Sequence, residues 1–591
     1  MDGYCSMKSI AIILFGWCCA TVGLAQGALL RYEGRVVDNT TGEALPYALI
    51  ENITQQSGAL SNADGYYQVQ SIAGDSLRCA VMGYEVYRWV AEASVGYRVV
   101  RLQPVSVQLN EVTVVGKDMG FLADIIARTR RAFEADRRVA KAYLDLKTYY
   151  DDQQVELLEA YANAYQIDGR IDRIRYKAGR AALARFGDRL FTSMESSKAI
   201  VRMDAFAGHT DFPDTPMEMS AAQMRKAFVF RIQRQFTDAQ GDSILVIGYR
   251  PREDDGRRCS GRIWINTDRR IFLKWTMEVE HANVYPFVPL FPGDRLENVF
   301  MKITQTFSHT AGTTAIEHVD FVYAMDYYSR NGREEFVRYP MRTRALLYLY
   351  DRDTQGFALS NFPPLDEDYS DYRKLSAMPY NDCFWRHNTE YVLSDSLQWN
   401  AHFFHDTTHI TSADLFRGKP IDGRNLYRSS FVPWSPQRIT LHEVAEDSVA
   451  RRTIQSTRSA LYNIAVHVYF DLLTCGDSLQ VNALAIMDPF QTYYYLERDA
   501  SSECFINMYF DLCEVLLRQW LRTMQQQHAT EADYRKAFET FDQERIRYLD
   551  AFKKEVQRGE NEKAMRKYNT MIVEELQIDN IALYSLYQTK Q

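Results

Sequence analysis

Between Phe228 and Tyr350 the chain repeats one device: a run of strand-forming residues, several of them alternating apolar and polar, then a break. The runs are Phe228–Phe236, Ser243–Tyr249, Gly261–Asn266, Ile271–Glu280, Asn298–Phe307, Ile316–Tyr328 and Thr343–Tyr350. Alternation places successive side chains on opposite faces of a strand, and strands joined by short turns pair antiparallel. Gly261–Asn266 and Ile271–Trp275 flank Thr267, Asp268, Arg269 and Arg270, which reads as a hairpin with a four-residue loop. A large antiparallel meander, open or half-barrel, is therefore expected within residues 141–355.

The chain has 591 residues, and single cores stop growing near about 250–300 residues, so several modules must share it. Lys+Arg 69 against Asp+Glu 77, with no basic stretch, argues against a nucleic-acid partner. The 38 tyrosines and 13% aromatic content suit a β-rich envelope or surface protein better than a cytosolic enzyme.

Lys8 precedes the uncharged stretch Ser9–Leu24, whose centre, Ile10–Phe15, is continuously apolar. A charged start, a short apolar stretch and the small-residue exit Leu24–Gln26 form a secretory signal, so residues 1–26 are expected to be removed after Ala25 or Gln26. Trp17 before Cys18 and Cys19 is a poor lipidation context. No later stretch is long and apolar enough to span a bilayer, which leaves peripheral membrane association open. Six cysteines then remain, Cys79, Cys259, Cys383, Cys475, Cys504 and Cys513, too scattered for a CxxC zinc site or a disulfide scaffold. A Cys475–Cys504 bridge is chemically allowed in an exported chain, but buried free thiols are the expected state.

Residues 29–116 break into short strands cut by turns. Leu30–Val37, Pro46–Ile50, Tyr66–Val69, Asp75–Val81, Arg98–Leu102 and Glu111–Val115 read as strands, with turns at Asp38–Glu43 and Asn62–Gly65. About seven strands in so short a span make a small antiparallel sandwich. Gly34–Asp38, Thr41–Ala48, Ser61–Tyr67, Gly83–Tyr84 and the closing Leu109–Val114 resemble, in order and spacing, the carboxypeptidase-regulatory-like domain. The resemblance covers about 90 residues. It implies a transthyretin-like β-sandwich with an accessory or recognition role and no peptidase activity of its own.

Met119–Arg138 carries apolar residues at helical spacing and is expected to form a linking helix within residues 119–140. Tyr143–Tyr150 follows as a strand. The order of this helix, this strand and Leu158–Tyr165 is similar to a family of envelope proteins of unknown function that carry the same N-terminal sandwich. Many of those end in an outer-membrane barrel, whose long series of amphipathic strands this chain lacks.

Residues 356–450 read as an irregular connector rich in proline and aromatics, with Phe431–Pro436 as an extended, packed crossing. Residues 451–591 read as a helical bundle, with helices near Ser459–Leu473, Ser502–Met524, Glu531–Val556 and Asn561–Leu576. Thr530 and Asp533 form a capping pair and Gly559 a stop. The whole is a multidomain α+β chain: a transthyretin-like sandwich, a central antiparallel β-meander and a C-terminal helical bundle.

Candidate chemistry is sparse. His402, His405 and His409 would share a face if helical, giving a metal site and a hydrolase. Asp406, Thr407 and Thr408 favour a turn, however, so a loop without metal is expected. His442-Glu443 lacks a second histidine at Glu446, and the acidic pairs Asp151-Asp152 and Asp254-Asp255 sit in turns. No nucleophile elbow, phosphate loop or dinucleotide fingerprint is present. The sequence therefore points to a non-enzymatic exported envelope protein without a cofactor, binding a protein, peptide or glycan through its β domains. The alternatives are the His-cluster hydrolase and a periplasmic carrier holding an apolar ligand in the curved sheet, against which a sheet packed on helices is the expected arrangement.

Overall fold

The computed structural model describes residues 30–105, 119–350, 356–388, 425–427, 431–441 and 461–587, less short internal gaps. The signal stretch, the expected strand Glu111–Val115 and the cluster His402, His405 and His409 lie outside the described residues. Two compact units divide the chain, one chiefly Met1–Ser106 and one beginning at Val107.

The first unit is a sandwich of seven short strands: β1 (Leu30–Asp38), β2 (Leu49–Asn52), β3 (Ser57–Leu60), β4 (Tyr66–Ser71), β5 (Ser76–Ala80), β6 (Tyr87–Val90) and β7 (Tyr97–Leu102). Its two sheets have the orders β4-β1-β7 and β3-β2-β5-β6. Tyr32, Val36, Ile50, Leu77, Val100 and Leu102 fill the space between them and are fully buried or nearly so. β3 and β6 are absent from the sequence reading; each has only four residues, too few for alternation to register. The sheets are also not wholly antiparallel, because β7 runs parallel to β1. The turn at Asn62–Tyr66 forms as expected: Gly65 N–H donates to Asn62 O at 3.0 Å, and Asn62 Oδ1 accepts from Asp64 N (2.9 Å) and Tyr66 N (3.0 Å). Gly65 has φ +76°, and a Cβ there would sit 2.5 Å from Val36 O.

The second unit is built on an eleven-stranded antiparallel sheet. Its strands are β8 (Arg138–Tyr150), β9 (Gln153–Ile167), β10 (Arg170–Leu183), then, after the short pair β11 (Arg185–Phe186) and β12 (Arg189–Leu190), β13 (Phe228–Thr237), β14 (Ser243–Pro251), β15 (Ser260–Asn266), β16 (Ile271–Val279), β17 (Arg295–Thr310), β18 (Thr313–Arg330), β19 (Phe336–Tyr350) and β20 (Asn425–Tyr427). The spatial order is β13 through β19 in sequence, then β8-β9-β10-β20. The meander is thus confirmed strand by strand. Asn266 pairs with Ile271 across the expected four-residue loop, with Arg270 at φ +58° closing it.

One face of this sheet is covered by α1 (Leu122–Arg131), α2 (Ser196–Arg202), a 3-10 turn (Pro216–Glu218) and α3 (Ala221–Ala227). Leu122, Ile126, Ile200, Met217 and Met224 pack with Ile247, Trp275, Met301, Phe321 and Leu347 in one buried core. The linking helix of residues 119–140 is corrected here. It ends at Arg131, because Arg138 already opens β8, and it is a buried part of the core rather than a linker.

The connector also departs from the irregular reading. It holds α4 (Asp371–Ser376), α5 (Asp382–His387), β20 and β21 (Val432–Pro433). Phe431–Pro436 is the packed crossing expected: Val432 pairs with Met487, and Trp434 Nε1 donates to Asp511 at 2.8 Å.

The helix expected near Ser459–Leu473 is a strand instead. After β22 (Tyr462–Asn463) come β23 (Val466–Cys475) and β24 (Ser478–Met487), an antiparallel hairpin, then β25 (Tyr493–Tyr494). Val466, Val468, Phe470 and Leu472 alternate into the core, and β-branched and aromatic residues favour that pleated surface. A ten-residue apolar run satisfies helix and strand templates alike, and pairing with β24 decides it. The last region is therefore a hairpin packed on helices, not a pure bundle. The remaining helices follow expectation: α6 (Ala500–Gln526), α7 (Glu531–Val556), α8 (Glu562–Leu576) and the short α9 (Asn580–Leu583). Thr530 and Asp533 cap α7 reciprocally, and Gly559 follows its end at φ +98°. Cys79, Cys259, Cys383, Cys504 and Cys513 are free thiols, all but Cys383 buried.

Candidate functional site

Three places in the described residues could carry function. On the first unit, one face of the sheet β4-β1-β7 is packed inward, and the other carries exposed side chains around a buried Gln68. The register sets Tyr66, Arg35 and Val99 in one row and Gln68, Glu33 and Tyr97 in the next. Tyr97 is 53% exposed, Val99 43% and Tyr66 39%, and Arg35 lies 5.3 Å over the Tyr66 ring. On the second sheet Tyr87 and Val90 are exposed as well. Seven of the thirteen exposed large apolar side chains among the described residues fall between Ile53 and Val99, so apolar exposure is concentrated in this small unit.

The second place is the helix-covered face of the large sheet. Met203, Asp204, Phe212, Thr215 and Glu218 from the covering segment meet Trp275 and Met277 of β16 around a cavity of about 10 Å³. That holds roughly one water and no acyl chain or substrate. Glu218 Oε1 accepts from Thr215 N at 2.8 Å. Burial pushes its carboxyl up to about 7; the Thr215 N–H and Arg130 oppose the rise, and Asp214 and Asp204 add to it.

The third place is the opposite face of the sheet. The pairings bring Asp320, Leu346, Asp145, Glu159 and Arg180 into one row across β18, β19, β8, β9 and β10. Arg344 binds Asp320 through Nε and Nη2 at 3.0 and 2.9 Å, and Arg180 Nε meets Glu159 at 2.5 Å. Tyr143 donates to the other Glu159 oxygen at 2.7 Å. Asp145 is less well served: Lys147 Nζ is 3.8 Å from Oδ2, and Oδ1 has no hydrogen-bond partner. Burial, together with Glu159 and Asp320, raises its carboxyl to about 6 against the pull of Lys147 and Arg344.

Beside this row Tyr161 packs edge-on against Phe357, Phe384 and Trp385, and the ring of Trp385 lies 4.1 Å under Arg180. Lys177 of β10 meets Asp471 of β23 at 2.5 Å, both side chains 2% exposed. Asn381 Nδ2 donates to Asp471 (2.7 Å) and to Tyr469 Oη (2.9 Å), while Asn482 Nδ2 donates to Asn381 Oδ1 (2.6 Å). These groups answer one another and fasten the hairpin to the sheet.

Sequence reasoning singled out none of Lys177, Asp471, Asp145 or Glu218. The available signal was a charge inside an apolar run, as with Asp471 in Val466–Leu473. The acidic pairs behave as expected where described: Asp151, Asp254 and Asp255 are exposed, Asp151 in the β8–β9 turn and the other two between β14 and β15. Among the described residues no cluster of three or more His, Cys, Asp or Glu is placed to hold a metal. Nor, among them, is any helix long and apolar enough to cross a membrane.

Fold and surface together define a β-rich chain with a small β-sandwich at its front. Residues 32–114 match the family model of the CarboxypepD_reg-like domain, so the first unit is a domain of that family. None of the curated proteins compared with the chain matches it. Solved structures align with part of it. A domain assigned to outer membrane lipoprotein sorting from Vibrio parahaemolyticus is 11% identical over 43% of this chain and 97% of that one, with a TM-score of 0.19. The MucA/MucB complex of Pseudomonas aeruginosa gives 12% identity over 38% and 93%, with a TM-score of 0.16. A LolA superfamily protein from Nitrosomonas europaea gives 11% over 39% and 91%, with a TM-score of 0.17. At these scores the functional reading rests on this chain's own residues.

Proposed function

We propose that this is an exported cell-envelope protein whose task is binding, with the CarboxypepD_reg-like sandwich presenting the contact face to a partner protein, peptide or glycan. The concentration of exposed Tyr66, Tyr87, Val90, Tyr97 and Val99 on that unit is the observation that carries the reading. Exposed tyrosines beside arginine give large contact area at low entropy cost and suit recognition. Lys8 and the apolar Ser9–Leu24 support export. The large sheet serves as the scaffold. The chain's own helices pack on its covered face in one buried core.

The test is recovery of the tagged full chain from cross-linked envelope fractions, wild type beside Tyr66→Ser/Tyr97→Ser. A partner recovered with wild type and lost with the variant supports the reading. The same partners recovered with both would remove the sandwich face from the function.

A further inference from the structure

β7 is an edge strand: β1 lies on one side of it, and on the other, among the described residues, Gly83–Glu85 bridges Gln103–Val105 just past its end while no strand faces Tyr97–Arg101. Gly96 and Leu102 direct their carbonyls to Glu33 N and Asn39 N on the β1 side. Backbone groups alternate along a strand, so Arg98 and Val100 also face β1, while Tyr97, Val99 and Arg101 direct N–H and C=O outward. The same three residues carry the exposed side chains of the strand; Val100 and Leu102 are buried. An open edge of this kind is a template for another strand.

The sequence of the edge fits a second copy of itself. We infer that two copies of this chain pair antiparallel through β7, centred on Val99. In that register Val99 faces Val99 of the second copy, and Tyr97 faces Arg101 of the second copy, twice by symmetry. Each of the three pairs joins residues whose N–H and C=O both point outward, so each can exchange two backbone hydrogen bonds. Arg101 is exposed and has no ion pair or ring contact among the described residues, so its guanidinium is available to lie over the tyrosine ring opposite. No like charges come directly opposite each other, since Arg98 faces Val100. A shift of one residue in the register would set exposed residues against core-facing ones, so only even shifts keep the faces matched.

The contact is isologous and closed, the form that gives a dimer rather than a fibre. It joins two three-stranded sheets into one six-stranded sheet of order β4-β1-β7-β7-β1-β4. The row Tyr66, Arg35, Val99 then continues into its own mirror, so one surface carries the exposed face twice. This deepens the binding reading by making the face bivalent, yet the pairing itself needs no other partner.

Sedimentation velocity of the purified full chain, from about 1 to 200 µM, tests it. A reversible monomer–dimer equilibrium is expected. Tyr97→Glu places a carboxylate opposite Arg101 of the second copy and should tighten the dimer, whereas Tyr97→Arg places two guanidiniums together and should loosen it. Each should change the dissociation constant by about tenfold, in opposite directions. Both substitutions remove the same exposed ring, so association through a merely apolar patch would weaken in both. A monomer at every concentration, or variants that move the same way, overturns the inference while leaving partner capture as a separate question.

Discussion

Lys177 and Asp471 are 294 residues apart in sequence and form an ion pair at 2.5 Å with both side chains 2% exposed. Asp471→Asn keeps the volume and removes the charge. Lys177 then retains only Ala358 O at 2.6 Å and the Phe384 ring at 5.8 Å. A buried charge stripped of its partner costs about 3–5 kcal/mol. The two remaining contacts place this site near the lower end, and with a denaturant slope near 3 kcal/mol/M the urea midpoint of the second unit should fall by about 1 M. Replacing both partners, as Lys177→Met/Asp471→Leu, should come within about 1 kcal/mol of wild type, because the desolvation penalty of both ions disappears with their attraction. Burial already pushes the Lys177 ammonium down, against the pull of Asp471. Without Asp471 the folded state prefers the neutral amine, so the unfolded chain binds more protons and stability rises with pH. The defect of Asp471→Asn should therefore be smaller at pH 9.5 than at pH 7. Chemical denaturation of wild type, both single variants and the double, at the two pH values, decides the matter. Single variants costing under about 1 kcal/mol, or a double variant costing the sum of the singles, would refute the reasoning.

Glu218 has a folded carboxyl raised to about 7 from 4.5, so its contribution is fully present below pH 4.5 and is lost as pH rises through 7; thermal unfolding should show Glu218→Gln less sensitive to pH than wild type between those limits, and an unchanged slope would count against the cavity placement. Gly34→Ala would put a Cβ 1.9 Å from Arg98 O, so it should separate β1 from β7 and cost more than about 3 kcal/mol in the first unit, read by hydrogen exchange at Val36 and Val100. The segment Leu29–Gly116 should fold alone with one cooperative thermal transition, and a broad, non-cooperative melt would misplace its boundary. Thiol titration of denatured, unreduced mature protein should return all six cysteines free; a count of four would show a bridge.

The meander was legible because β13 to β19 are strand-forming runs set apart by breaks, most of them with one polar and one apolar face, although β14 is buried on both. The sandwich was legible through its turns: Asn62–Gly65 fixes backbone geometry locally, whatever surrounds it. Capping of α7 by Thr530 and Asp533 is equally local. By contrast, Val466–Leu473 satisfies both helical and extended patterns, and only pairing with Ser478–Met487 chose the strand. The short β3 and β6 exist because β2 and β5 offer them edges. Burial of Lys177, Asp471 and Asp145 comes from segments remote in sequence converging on one face of the sheet. Local patterning could set which face each side chain takes, since a strand's period is two, but which face would be covered, and by what, was decided by long-range packing alone.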